Sequence, residues 1–211
     1  MKRKGILMVV SGFSGAGKGT LMKKLLDTYD NYALSVSMTT RQPREGEKNG
    51  VDYFFSTKED FEKKIEEKGL LEYAKYCDNY YGTPRAYVEE QLESGKDVIL
   101  EIEIQGALYI KEQFPEALLL FVTPPSMAEL KRRLEGRGTE TPEVIRKRLL
   151  RAGEEAAGIE SYDYVVINDD LQQCVEEIHR IVESSRNTPD RNTEFIKQIK
   201  EELHALLKGE K

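Results

Sequence analysis

Between Gly12 and Thr20 the sequence reads Gly-Phe-Ser-Gly-Ala-Gly-Lys-Gly-Thr. Glycines at positions 12, 15 and 17 let the backbone take positive φ and turn its amide N–H groups toward an oxygen-rich ligand without a Cβ in the way. Lys18 adds a mobile positive charge. A run of apolar residues at helical spacing from Leu21 to Leu26 puts the unpaired amides and positive end of a helix at the same spot. The combination suits a polyphosphate. The spacing is that of Gly-x4-Gly-Lys, except that Gly19 stands where a metal-holding hydroxyl usually follows the lysine and Thr20 comes one residue late. A Mg²⁺ ion would therefore be held mainly by phosphates, water and a distant carboxylate. The bland alternative is a glycine turn that merely joins a strand to a helix.

Three further groups have the right types for phosphate chemistry. Arg41 and Arg44 lie three residues apart in a loop stiffened by Pro43 and Gly46, and two planar guanidinium forks can clamp one anion, with the phenols of Tyr53 and Tyr81 to complete the shell. In Val98-Ile99-Leu100-Glu101-Ile102-Glu103-Ile104 the alternation puts both glutamates on one face of an apolar strand, which is costly except where a parallel sheet opens into a ligand crevice. Arg133, Arg137 and Arg148 surround a polar segment that interrupts a helical pattern. Each group also has an ordinary reading: solvated loop arginines, an edge strand with a wet face, and helix-surface charges.

The elements that must position these groups alternate. Ile6–Val10 enters the glycine loop as a buried strand, and further strands are expected at 32–37, 97–104, 118–122 and 164–168, with helices at 106–114, from Ser126, from Pro142 toward Glu160, and at 171–183. Such alternation calls for an α/β fold, a parallel sheet flanked by helices. Residues 35–94 break the pattern and read as an inserted, partly β subdomain. Ser56 and Glu59 have capping-box spacing for a helix that Gly69 would end, and a second helix spans Arg85 to Ser94, with Gly95 beyond it. The core then comprises residues 4–34 and 95–183, with a lid at about 135–150. Residues 184–211 are a charged helical extension that packs on the domain, packs on a second copy as a homo-oligomer, or hangs as a loose tail.

Composition narrows the partners. The formal charge of −6 over 211 residues argues against a general nucleic-acid binder, which needs a basic surface. Cys77 and Cys174 have no cysteine or histidine company and read as reduced, cytoplasmic thiols. No apolar stretch has the length of a membrane span. His179 and His204 fall in helical patterns without partners.

Taken in order, the glycine loop, Ser-Val-Ser-x-Thr-Thr-Arg-x-Pro-Arg-x-Gly-Glu at 35–47, Asn79-Tyr80-Tyr81-Gly82 and Arg-Gly-Thr-Glu-Thr at 137–141 make the chain resemble the guanylate kinases over about residues 4–183. The resemblance implies an enzyme of purine nucleotide metabolism that reversibly moves the γ-phosphoryl group of ATP to GMP, with dGMP expected as an acceptor too, giving ADP and the diphosphate. It implies that Arg41, Arg44, Tyr53 and Tyr81 hold the GMP phosphate and that Ser37, Glu72 and Thr83 face guanine. Chemistry agrees on Glu72: guanine offers N1–H and N2–H₂ side by side, which one carboxylate can accept together, whereas adenine places an acceptor there. Glu103 would approach guanine or ribose, and Glu101 would hold a Mg²⁺ water. The donor would lie on Gly12, Phe13, Ser14, Gly15, Ala16, Gly17, Lys18, Gly19 and Thr20, with Asn168 beside adenine, while Lys18 and the arginines at 133, 137 and 148 neutralise the transferring group. The family often has aspartates where Glu101 and Glu103 stand. Two rivals remain open: a nucleoside monophosphate kinase with another acceptor, and a guanylate-kinase-like module that binds phosphorylated peptides.

Overall fold

A computed structural model of the chain describes residues 4–76, 78–136 and 141–209. The first half contains β1 (Leu7–Gly12), α1 (Lys18–Thr28), β2 (Tyr32–Leu34), β3 (Met38–Thr39), β4 (Phe54–Phe55), α2 (Lys58–Glu66), β5 (Leu70–Tyr76), β6 (Asn79–Pro84) and α3 (Arg85–Ser94). There follow β7 (Asp97–Glu101), α4 (Ile104–Gln113), β8 (Leu118–Thr123), α5 (Met127–Glu135), α6 (Pro142–Ala156), β9 (Tyr164–Ile167), α7 (Leu171–Ser185) and α8 (Thr193–Gly209).

Strands β2-β7-β1-β8-β9 form a sheet in that order, and every pairing in it is parallel. The apolar run of β1 is buried on both faces because alternate residues serve two cores. Met8 and Val10 pack with Leu21, Met22 and Leu25 of α1 and Val175 and Ile178 of α7, whereas Leu7 and Val9 pack with Val88 and Leu92 of α3 and Ala107 and Ile110 of α4. Full burial of each large aliphatic side chain is worth about 1.5–3 kcal/mol. Between β2 and β7 the chain leaves this sheet and builds a second one, ordered β4-β3-β6-β5, with antiparallel β3–β6 and β5–β6 pairs.

Asp97 ties the edge of the large sheet together. It is fully buried, accepts from the Ile6 amide and from Asn31 Nδ2 at 2.8 Å each, and forms an ion pair with Arg186.

Several boundaries differ from the sequence reading. The N-cap of α2 is Thr57, whose hydroxyl accepts from the Asp60 amide, and Lys68 rather than Gly69 takes the positive φ, of 54°, after the helix. Strand β2 stops at Leu34, and β7 stops at Glu101, so Glu103 is not on the strand but at the N-cap position of α4. The shared strand face expected for the two glutamates is therefore absent: the chain turns into α4 directly after the ladder ends. His179 does have partners. Its Nδ1 lies 2.9 Å from the Tyr32 hydroxyl and its ring stacks on Tyr29 at 3.7 Å, which pins α7 against α1 and β2. Helix α8 buries none of its residues and exposes Phe195, Ile199, Leu203, Leu206 and Leu207. Cys174 is buried in the core, which pushes its thiol up to about 12, while Cys77 lies outside the described residues. Among the described residues no helix is long and apolar enough to cross a membrane.

Candidate active site

The glycine loop joins the carboxyl end of β1 to α1. Gly17 is the N-cap of α1 with φ of 91°, and a Cβ there would come within 2.7 Å of Asn168 Nδ2. At Gly12 a Cβ would meet the Val122 carbonyl at 2.1 Å, because β1 and β8 still run side by side there. Both positions exclude any other residue for steric and torsional reasons. Lys18, the first residue of α1, folds back over the loop and donates through Nζ to the Gly12 carbonyl at 2.6 Å.

Two of the sequence-predicted residues brace this loop from behind. Asn168, just past β9 and buried, donates to the Ala16 carbonyl at 2.8 Å. Arg133 on α5 donates to the same carbonyl at 3.3 Å and to the Asn168 carbonyl at 2.8 Å. Its Nε donates to Glu129, whose carboxyl is held down to about 2 by hydrogen bonds from Arg132 and Arg133. Arg148 on α6 reaches Ser14 Oγ in the loop. Arg137 lies outside the described residues. Phe13 and Ala16 are buried under the loop, Gly15 carries positive φ, and Gly19 and Thr20 face solvent in the first turn of α1.

A cleft of about 240 Å³ opens beside the loop, lined among others by Gly12, Ser14, Lys18, Glu101, Glu103 and Glu155. The fold thus brings Lys18 and the two glutamates, far apart in sequence, to one cavity at the carboxyl ends of β1 and β7. Glu101 reaches solvent but is crowded by protein at the cleft floor. That crowding raises its carboxyl above the ordinary range, against the opposing pull of Lys18. Among the described residues no cluster of three His, Cys, Asp or Glu side chains forms a ready-made metal site. A divalent cation carried in by phosphates and water needs only one or two protein carboxylates, and Glu101 lines the cleft beside the loop.

The inserted sheet gathers a second set. Both Nη atoms of Arg41 donate to Glu47, at 3.0 and 2.9 Å, and the Arg44 amide donates to the same carboxylate at 2.7 Å. Glu47 is held below the usual carboxylate range chiefly by Arg41, and it fixes the two arginine positions relative to each other. The Arg41 guanidinium lies 5.2 Å from the Tyr53 ring centre, and Tyr53 meets Tyr81 edge-on at 6.1 Å. Ser37, just before β3, is half-buried and its carbonyl accepts from the Phe54 amide.

Glu72 on β5 is only 6 % exposed, and its Oε1 accepts from the Thr83 hydroxyl on β6 at 2.6 Å. Burial raises this carboxyl above the ordinary range, the Thr83 hydrogen bond opposes that, and the nearby charge of Glu103 adds to it. Space for Oε2 exists because residue 106 is glycine: a Cβ there would lie 3.0 Å from it. Sequence reasoning did not find Glu47, Glu129, Gly106 or Arg151 as site neighbours. An acid three or four residues before an arginine was a readable signal for Glu129, but the contacts of Gly106 with Glu72 and of Arg151 with Glu103 cross elements and left no local trace.

A parallel sheet whose first strand runs through a glycine loop into a helix, with a lysine over a carboxylate-lined cleft, defines a P-loop nucleotide-binding protein. Residues 4–185 match the family model for guanylate kinase. The guanylate kinase of Clostridioides difficile is 53% identical over 202 residues, spanning 95% of this chain and 98% of the relative. That of Oceanobacillus iheyensis is 51% identical over 202 residues, 96% of this chain and 98% of the relative. The crystal structure of guanylate kinase from Anaplasma phagocytophilum aligns with a TM-score of 0.73 at 33% identity, covering 90% of this chain and 91% of that one. The chain belongs to the guanylate kinase family.

Proposed function

We infer that the protein is an ATP:GMP phosphotransferase, reversibly moving the γ-phosphoryl group of ATP to GMP to give ADP and GDP. The observation that carries this reading is the family match over residues 4–185, with relatives named guanylate kinase at about half identity over nearly the whole chain. The geometry adds chemical support at several of the described positions.

The attacking oxygen belongs to a phosphate already mostly deprotonated at neutral pH, so no strong base is needed. The task is to align two anions and offset their repulsion. In this reading the loop amides of residues 12–20 orient the donor phosphates, Lys18 moves from the loop carbonyls to the phosphate oxygens, and Asn168 lies beside adenine. Arg133, Arg137 and Arg148 neutralise the transferring group. Their present contacts with the loop at Ala16 and Ser14 place Arg133 and Arg148 within the loop's surroundings. Arg41, Arg44, Tyr53 and Tyr81 take the acceptor phosphate, while Ser37, Glu72 and Thr83 read the base and Glu103 approaches base or ribose.

Mg²⁺ is the metal we assign, held through phosphates and water with Glu101 and Thr20 as protein contacts, and it would supply charge neutralisation across the donor phosphates. Residues 4–34 and 95–183 then act as the donor-binding core, about 35–94 as the acceptor-binding part and about 135–150 as the lid. Closure excludes water as a competing acceptor.

The test is ADP formation from Mg-ATP with GMP, dGMP, AMP, UMP and CMP in separate reactions. GMP and dGMP should be strongly preferred. Preference for another monophosphate would overturn the base assignment, and silence with all five would favour a phosphopeptide-binding module.

A further inference from the structure

Arg151 lies three residues after Arg148 on α6, and the two arginines reach different rims of one cleft. Arg148 donates to Ser14 Oγ in the glycine loop. Arg151 Nη2 donates to Glu103 Oε2 at 2.6 Å, and its Nε donates to Glu155 Oε1 at 3.2 Å. Ser14, Glu103 and Glu155 all line the 240 Å³ cleft. Glu103 occupies the N-cap position of α4 yet makes no capping hydrogen bond. Its carboxylate forgoes the helix amides and turns toward an arginine 48 residues away in sequence. Both side chains are 37% accessible, and at such exposure an ion pair adds little to folding. Its geometry points to a different use, since a guanidinium gripped by carboxylates from two elements is held in one orientation.

We propose that Arg151 is a positioning residue for the acceptor nucleotide. It draws the Glu103 carboxylate off the end of α4 and fixes it in the cleft with Oε1 directed to the ligand. The same contact links the acceptor side to α6, one turn from the arginine that touches the donor loop. The inference rests on the reading above, in which Glu103 faces GMP.

A double-mutant cycle tests it, with steady-state rates measured for GMP at saturating ATP and for ATP at saturating GMP. Arg151→Gln should raise the KM for GMP about fivefold, the upper range for an exposed pair, and leave both kcat and the KM for ATP at saturating GMP nearly unchanged. Arg151→Lys should recover part of the loss. In a Glu103→Gln background, Arg151→Gln should add almost nothing, because the pair is already broken. Additive losses would overturn the proposal, and so would a fall in kcat at constant KM, which would put Arg151 on the transferring group. Should Arg151→Gln fail to fold, Arg151→Lys with and without Glu103→Gln completes the cycle. Wild-type protein that forms no ADP with GMP would instead remove the reading on which the proposal depends.

Discussion

Glu72→Gln keeps the shape of a buried side chain and removes its charge, which separates recognition from folding. The wild-type carboxylate is 6 % exposed and its Oε1 already accepts from Thr83 at 2.6 Å, so a ligand meets an acceptor held in place. If guanine N1–H and N2–H₂ both face it, glutamine keeps one oxygen and turns an NH₂ toward the other donor. The loss combines a charge-assisted hydrogen bond, about 1.5–3 kcal/mol, with an unsatisfied donor, about 1–3 kcal/mol. Together these come to roughly 3–6 kcal/mol, or about 10² to 10⁴ in kcat/KM for GMP, while the KM for ATP stays put.

Stability should move the other way. The folded carboxyl titrates above its unfolded value because burial disfavours the charge. Between the two values the folded chain binds more protons, so the wild type loses stability as pH rises through that window and carries the full penalty above the folded value. Glutamine carries none. The variant should therefore melt at or above the wild-type temperature at pH 8, and that advantage should vanish below about pH 4, under the ordinary carboxylate value. A fall in kcat/KM smaller than tenfold, or a variant that melts several degrees lower at pH 8, would refute the argument.

Lys18→Ala should lower kcat by about 10² to 10³ with an unchanged melting temperature, since the lysine donates to the loop carbonyls of Gly12 and Phe13 and its charge serves the phosphates; full activity would contradict the loop's role. Gly106→Ala would set a Cβ 3.0 Å from Glu72 Oε2 and 3.2 Å from Ile102 Cδ1. The KM for GMP should rise about tenfold while melting holds or improves, because alanine favours a helix over glycine by about 1 kcal/mol; an unchanged KM would show that Glu72 has room to shift. Asp97→Ala leaves the Arg186 charge, Asn31 and the Ile6 amide without their shared acceptor. The cost should be about 3–5 kcal/mol, a melting drop of roughly 6–20 °C, and a loss under 3 °C by calorimetry would count against it.

Local chemistry could be read along the chain. The Gly12–Thr20 loop was legible because only glycine fits its torsions and a lysine follows at fixed spacing, and α3 was legible to the residue because Gly95 takes the left-handed C-cap, with φ of 95°. Alternating apolar runs marked the parallel sheet, since strands covered on both faces must be apolar throughout. Arg41, Arg44 and Glu72, proposed for the acceptor, were marked mainly by family likeness, because a strand glutamate or a loop arginine looks like surface until its neighbours are known. Tertiary structure decided what crosses between elements. It ended β7 at Glu101 and moved Glu103 to the head of α4, joined Arg151 to that carboxylate, set Asn168 and Arg133 behind the loop at Ala16, and made room for Glu72 by leaving Gly106 bare. Local pattern records only the preferences of neighbours along the chain. A cleft is made by residues whose distance in sequence bears no relation to their distance in space.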